Sequence, residues 1–296
     1  MRGKGIQQLL LQKAKSRSVM LLRLHSLLSS PTISPLSCSS CSRSTAAMSS
    51  DAAPKSITDQ KRALRSKMRS DLKAFSPAQR AQEDMAIQNN VLDSSWFKSA
   101  SSLCAYVSCE ALREVDTSRI LSKILKNQDA DRHAQVNKKV YVPRVEDKNS
   151  HMRMLNITSM EDLVANSMNI LEPSPVDASG NQLEDVMLAN DPVDILLLPG
   201  VAFDRQGGRL GRGGGYYDVF LQKYKELAME RKWKQPLLIA LAYSLQIVDE
   251  NVIPMTPTDV PIDALVSPSG VIPISSAARE EMCDSDKLSG NGEDVI

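Results

Sequence analysis

One stretch constrains this chain more than any other: Asp194–Leu221, DILLLPGVAFDRQGGRLGRGGGYYDVFL. A short apolar run passes into a loop with six glycines in nine residues (207, 208, 211, 213, 214 and 215), then into two tyrosines and an aspartate. That order predicts a buried strand, a loop and a helix. Glycine tolerates positive φ and lets the backbone approach a ligand closely. A run of exposed N–H groups followed by a helix N-terminus forms an anion site. Arg209 and Arg212 can add bidentate contacts to phosphate. Asp218, in the first turn or so of the helix, would repel that phosphate unless a cation intervened. A Mg²⁺ bridging the carboxylate and the phosphate oxygens resolves the conflict. The loop contains neither G-x-x-x-x-G-K-[ST] nor G-x-G-x-x-G, so neither common nucleotide fingerprint applies. On pattern alone three readings stay open: a phosphate or nucleotide site, a flexible surface loop, or an RNA-contacting Arg/Gly segment.

The rest of the chain alternates. Leu64, Met68, Leu72 and Phe75 recur at spacings of four, four and three, which predicts a helix over 57–75 with Thr58 as N-cap. Lys61 and Arg65, four apart, share another face of it. Ser76-Pro77 opens a second helix to about Leu92. Short strands are expected at Leu103–Ser108, Val140–Pro143, Met152–Ile157, Ile195–Leu198, Pro236–Ala242 and Ala264–Val266. Helices are expected over Asp116–Leu125 and from Gly213 or Gly214 to about Lys232. Residues 128–139 and 173–192 are polar enough to be loops. Strands alternating with amphipathic helices indicate a single three-layer α/β domain, Rossmann-like, with a mostly parallel sheet and preceding N-terminal helices. In such a sheet ligands bind beyond the carboxyl ends of the strands, where the glycine loop should lie.

Residues 1–50 differ in kind. They carry seven Lys or Arg, no Asp or Glu, and much Ser and Leu, the pattern of an organelle transit peptide with mitochondrion ahead of plastid. A secretory signal fits less well, because Lys13, Lys15, Arg17 and Arg23 interrupt any apolar core; a disordered tail, or a cytosolic form starting at Met48, are the other readings. Taking those seven from the 36 basic residues leaves 29 against 35 acidic, a net charge of −6. A mildly acidic domain is a poor non-specific binder of nucleic acid. The chain contains no apolar run of ~20 residues, so no membrane span is expected. Cys38 and Cys41 form a C-x-x-C inside the leader with no second pair, and His25, His133 and His151 are not at metal spacing, so no zinc site is supported. Beyond about Ala278 the chain turns acidic and Gly/Ser/Asn-rich, and residues 279–296 are expected to be a disordered tail.

Leu198-Pro199-Gly200-Val201-Ala202-Phe203-Asp204, followed by Arg209-Leu210-Gly211-Arg212-Gly213-Gly214-Gly215-Tyr216-Tyr217-Asp218, resembles the signature of the 5-formyltetrahydrofolate cyclo-ligase family. Lys61 and Arg65, then Glu114-Val115-Asp116-Thr117, Val142-Pro143-Arg144 and Asp259 follow in the family's order, over about residues 57–268. Gly214 stands where some members carry Lys. The resemblance implies ATP- and Mg²⁺-dependent cyclisation of 5-formyltetrahydrofolate, mono- or polyglutamylated, by a monomer without nucleic-acid or membrane partners. It further implies that Lys61, Arg65 and residues Arg209 to Tyr217 (Leu210, Gly211, Arg212, Gly213, Gly214, Gly215 and Tyr216 between them) surround ATP. Asp218 and Asp259 would hold Mg²⁺. Glu114, with Arg212 to Tyr216, would contact the folate, and Arg209 and Arg212 would be the catalytic cations. Each has a plainer alternative. Lys61 and Arg65 could be a solvated helix face, Glu114 a surface acid, and Tyr216 and Tyr217 core aromatics. Asp259 could be a turn residue, with Asp263 a competitor for its role.

Overall fold

The structure, a computed structural model, describes residues 56–129, 138–167, 169–177 and 179–283. The expected leader, most of the polar loop before Lys139 and the acidic run after Cys283 lie outside the described residues. None of the described helices is long and apolar enough to cross a membrane.

The chain opens with three helices, α1 (Ile57–Ala74), α2 (Pro77–Asp93) and α3 (Ser95–Ser99). Ser56, not Thr58, caps α1: its hydroxyl accepts from Asp59 N at 3.1 Å. Ser76 caps α2 as expected, accepting from Gln79 N at 3.2 Å with Pro77 in the first turn.

Seven strands form the main sheet: β1 (Ser102–Ala105), β2 (Lys139–Val145), β3 (Met152–Ile157), β6 (Ile195–Leu198), β9 (Leu237–Leu241), β11 (Ala264–Ser267) and β12 (Gly270–Pro273). Their order is β12-β11-β9-β6-β1-β2-β3. The five central strands run parallel and the two edges, β3 and β12, are antiparallel. Side chains alternate between two cores, as the period of two requires. Leu103, Ala105, Ile195, Leu197, Ile239 and Leu241 face α2, α3 and α4 (Ser118–Asp129). Cys104, Leu196, Leu198, Ala240 and Leu265 face α5 (Tyr216–Glu230), through Phe220, Leu221 and Tyr224. Helices therefore cover both faces, the expected three layers.

Several short elements were not expected. The hairpin β4 (Leu163–Ala165) and β5 (Leu171–Pro173) forms its own two-stranded sheet beside β2. A second small sheet joins β7 (Ala202–Asp204), β8 (Arg209–Leu210) and β10 (Ile247–Val248). Runs of two or three residues are too short for periodicity to reveal them. The small sheet matters for the site. Met68 of α1 packs on Val201, Ala202, Leu210 and Ile253, and so moors α1 beside the glycine loop. The tail was expected from residue 279, but α6 (Ser276–Cys283) is helical and buries Ala278.

The β7–β8 turn explains one glycine. The buried Asp204 carboxylate accepts from Gly208 N at 2.8 Å and Gln206 N at 2.9 Å. A Cβ on Gly208 would fall 2.4 Å from Asp204 Oδ2. Gly208→Ala is expected to cost about 2 kcal/mol by overpacking, seen as a lower thermal midpoint; an unchanged midpoint would mean that the turn relaxes freely.

Candidate functional site

The strand order reverses between β1 and β6: the chain moves one way from β1 to β2 and β3, and the other way through β6, β9 and β11. Parallel sheets bind ligands at this switch point, outside the carboxyl ends of the strands. A cavity of about 490 Å³ lies there. Its floor includes Tyr106 and Val107 after β1, Pro143 near the end of β2, and Pro199 and Gly200 after β6. Every site residue expected from the sequence lines it: Lys61, Arg65, Glu114, Arg209 to Asp218, and Asp259.

The glycine loop reaches this place because β8 delivers it and α5 receives it. Gly213 (φ 103°) and Gly215 (φ 71°) occupy the left-handed region, which delays the helix to Tyr216 rather than Gly213 or Gly214. Gly215 is the N-cap and supplies no side-chain cap, so the first N–H groups of α5 remain available to an anion. Arg65 Nε donates to Gly211 O at 2.8 Å and Arg69 Nη2 to Arg212 O at 3.0 Å. From the other side the β2–β3 turn braces the loop: Ser150 Oγ donates to Gly214 O, and Tyr216 OH donates to Asp147 O at 2.9 Å. A Cβ on Gly214 would fall 2.7 Å from the Tyr216 ring, so a side chain there would require the ring to move.

Three cation–carboxylate pairs line the cavity. Lys61 Nζ meets Asp259 Oδ2. Arg209 Nη2 meets Asp218 Oδ1 at 2.8 Å. Arg212 Nε meets Glu114 Oε1 at 3.2 Å and Nη2 reaches Leu112 O. The Arg209 side chain is only 3% exposed and lies 5.8 Å from the Tyr217 ring centre. Lys61 and Arg65 are half-buried on the flank of the Met68 stripe, not a solvated helix face.

Burial pushes the Glu114 carboxyl up, against the pull of Arg212 and the Cys109 N–H. Burial would also raise Asp259, but the hydrogen bonds from Lys61 and Thr256 outweigh it and hold that carboxyl below its ordinary value. Burial and Arg69 lower Arg65, while Asp259 and Asp218 oppose them; both acids thus act on the same guanidinium.

Asp263 is not the alternative to Asp259. It sits just before β11, at the amino end of the parallel strands, where its Oδ2 accepts from Leu238 N at 2.9 Å. Arg144 turns out of the site to donate to Pro173 O at 2.8 Å, leaving Pro143 to the cavity. Reasoning from sequence missed the apolar wall of Val145, Met152, Ile170 and Leu171. Part of it belongs to the β4–β5 hairpin, which carried no periodic signal.

Asp218 and Asp259 both line the cavity beside the glycine loop. Among the described residues no group of three or more His, Cys, Asp or Glu side chains is gathered. Two carboxylates fit Mg²⁺, which binds through one or two carboxylates, substrate phosphates and retained waters. They do not fit a structural zinc site.

Fold and cavity together define a doubly wound α/β protein with a glycine-rich loop at its switch point. Residues 57–268 match the 5-formyltetrahydrofolate cyclo-ligase family, and the chain belongs to it. It is 60% identical over 227 residues to the mitochondrial 5-formyltetrahydrofolate cyclo-ligase of Arabidopsis thaliana, covering 77% of this chain and 80% of that one. With the Mus musculus 5-formyltetrahydrofolate cyclo-ligase it shares 27% identity over 213 residues, 71% of this chain and 94% of the mouse one. The solution structure of Aquifex aeolicus 5,10-methenyltetrahydrofolate synthetase shares the fold, with a TM-score of 0.56 at 24% identity over 80% of this chain and 96% of that one.

Proposed function

We propose that this chain uses ATP to close 5-formyltetrahydrofolate into 5,10-methenyltetrahydrofolate, releasing ADP and phosphate. The observation that carries the reading is the convergence of Lys61, Arg65, Glu114, Arg209–Asp218 and Asp259 on one cavity, in a member of the cyclo-ligase family. An amide-type oxygen leaves poorly. The formyl oxygen on nitrogen 5 therefore attacks the γ-phosphorus and displaces ADP. Nitrogen 10 adds to the activated carbon, and the original formyl oxygen departs with phosphate.

This chemistry asks the protein for positioning and charge neutralisation, not for a nucleophile. Lys61, Arg65 and the loop from Arg209 to Tyr217 hold the nucleotide. Glu114 and the Arg212–Tyr216 segment orient the folate. Arg209 and Arg212 neutralise the transferring phosphoryl group. Asp218 and Asp259 hold Mg²⁺, which when bound screens the phosphate charge. The three ion pairs leave the cavity nearly neutral before ligands arrive. Pairing of phosphates with Lys61 and Arg209 would free Asp259 and Asp218, their partners in the observed ion pairs, to hold Mg²⁺. The apolar wall matches the flat, apolar body of a folate.

The leader at 1–50 directs the chain to the mitochondrion in this reading, supported by its basic, acid-free composition and the mitochondrial relative. The folded unit runs from residue 57 through α6 to Cys283, the acidic stretch follows it, and the enzyme acts as a monomer on mono- or polyglutamylated substrate.

The test uses protein beginning after residue 50, supplied with 5-formyltetrahydrofolate and Mg²⁺, with and without ATP. ATP-dependent growth of the methenyl chromophore is expected. Folded protein that binds either ligand and forms no product would refute the activity. Asp218→Asn is expected to raise the Mg²⁺ concentration for half-maximal rate by at least about tenfold, since even outer-shell losses cost ~10–100-fold in metal affinity. An unchanged Mg²⁺ titration would remove Asp218 from the ligand set.

A further inference from the structure

Glu114 lies in the loop Tyr106–Thr117 between β1 and α4. That loop is held in an uncommon shape. Arg113, immediately before Glu114, has φ 55°, a left-handed conformation that costs an L-residue roughly 1–2 kcal/mol. Such a conformation persists only where its surroundings impose it.

The surroundings are a polar stripe on α2. Arg80, Asp84 and Gln88 recur every four residues and so share one helix face. All three reach the loop or the start of α4. Arg80 Nη2 donates to Glu110 Oε1 at 2.8 Å. Asp84 Oδ1 accepts from Asp116 N at 2.8 Å. Gln88, 2% exposed, accepts from Arg119 N at 3.0 Å and donates to Asp116 Oδ2 at 3.4 Å. A fourth group arrives from beyond β9. The fully buried Tyr243 hydroxyl lies 2.7 Å from Asp84 Oδ1 and 3.0 Å from the main-chain oxygen of Glu114 itself. Edge-on contact with Phe75, at 5.4 Å between ring centres, fixes the Tyr243 ring.

None of Arg80, Asp84, Gln88 and Tyr243 lines the cavity. Burying polar and charged groups at a helix–sheet interface costs desolvation, and apolar packing of equal volume is often no less stable. The stripe is therefore poorly accounted for as a source of stability. Apart from the Gln88 bond to Arg119 N at the start of α4, its hydrogen bonds converge on the segment that presents Glu114. We propose that the Arg80–Asp84–Gln88 stripe and the Tyr243 hydroxyl form a positioning device that fixes Glu114 toward the folate. This rests on the reading of Glu114 as the folate contact.

Tyr243→Phe removes one hydroxyl and preserves the ring. Misplacing a contact by a fraction of an ångström should weaken folate recognition about tenfold. The expected result is a tenfold rise in KM for 5-formyltetrahydrofolate, and in its Kd by calorimetry, with KM for ATP changed less than twofold. Tyr224→Phe is the control. It also removes a buried hydroxyl, one bonded to Val193 N at 2.8 Å, and should lower the melting point without moving either KM. Asp84→Ala should behave as Tyr243→Phe does, and Asp84→Asn, which keeps Oδ1 as an acceptor, should restore most of the affinity. In a Glu114→Ala background Tyr243→Phe should add no further loss.

An unchanged folate Kd in Tyr243→Phe, or an equal loss in Tyr224→Phe, would overturn the positioning role. Wild-type protein that binds folate without turnover would overturn the activity alone, since the Kd comparison still tests the device. Wild-type protein that binds no folate would overturn both.

Discussion

Arg212→Ala should lower kcat by about a thousandfold, some 4 kcal/mol of transition-state stabilisation, while the protein remains folded. The fold should survive because the loop is held through its backbone, by Arg65 on Gly211 O and Arg69 on Arg212 O. The side chain itself meets Glu114 and Leu112 O. Its loss also leaves a second trace. Burial already raises the Glu114 carboxyl and Arg212 opposes that rise. Without the guanidinium the carboxyl should rise further, moving the acid limb of the kcat/KM profile to higher pH. Rate–pH profiles of both proteins, beside their circular dichroism spectra, check this. Near-normal turnover in folded mutant would remove Arg212 from the catalytic role.

Arg209→Ala should do comparable damage to turnover and, unlike Arg212→Ala, should also destabilise the fold. The Arg209 side chain is 3% exposed and its Asp218 partner 27% exposed. Removing the cation strands a partly hydrated carboxylate, so the cost should fall below the ~3–5 kcal/mol seen for fully buried pairs, at about 2 kcal/mol. For a domain of this size that is roughly 4–8 °C in thermal midpoint. The double variant Arg209→Ala/Asp218→Ala should recover much of the midpoint and none of the turnover. Recovery of turnover with stability would show that Arg209 serves the fold and not the phosphoryl transfer.

The contrast between these two arginines was invisible in the sequence, where they stand three apart in one loop. Arg209 opens β8, paired with Phe203 of β7, and its side chain is buried. Arg212 lies past that ladder and reaches across the cavity to the β1–α4 loop. The same holds for the α2 stripe. Nothing in the sequence sets Arg80, Asp84 and Gln88 apart from other polar helix positions, and only the fold brings them against a loop.

Local order was legible because backbone geometry writes it locally. The 3.6-residue period exposed α1, the Ser-Pro step marked the start of α2, and the apolar run before the glycines marked β6. The clustered glycines announced a loop fit for anions, since only they take the conformations of Gly213 and Gly215 without strain. The family resemblance then assembled the distant members, Lys61, Glu114 and Asp259, into one list. Which of them touch was decided by tertiary structure alone. Lys61 meets Asp259 across 198 residues of sequence, and Arg212 meets Glu114 across 98. Asp259 and Asp263 are four residues apart, yet one lines the cavity and the other ties the amino end of β11 to β9. Strand order and direction determine which loops share an edge of the sheet, and those follow from how whole faces are buried, not from any spacing along the chain.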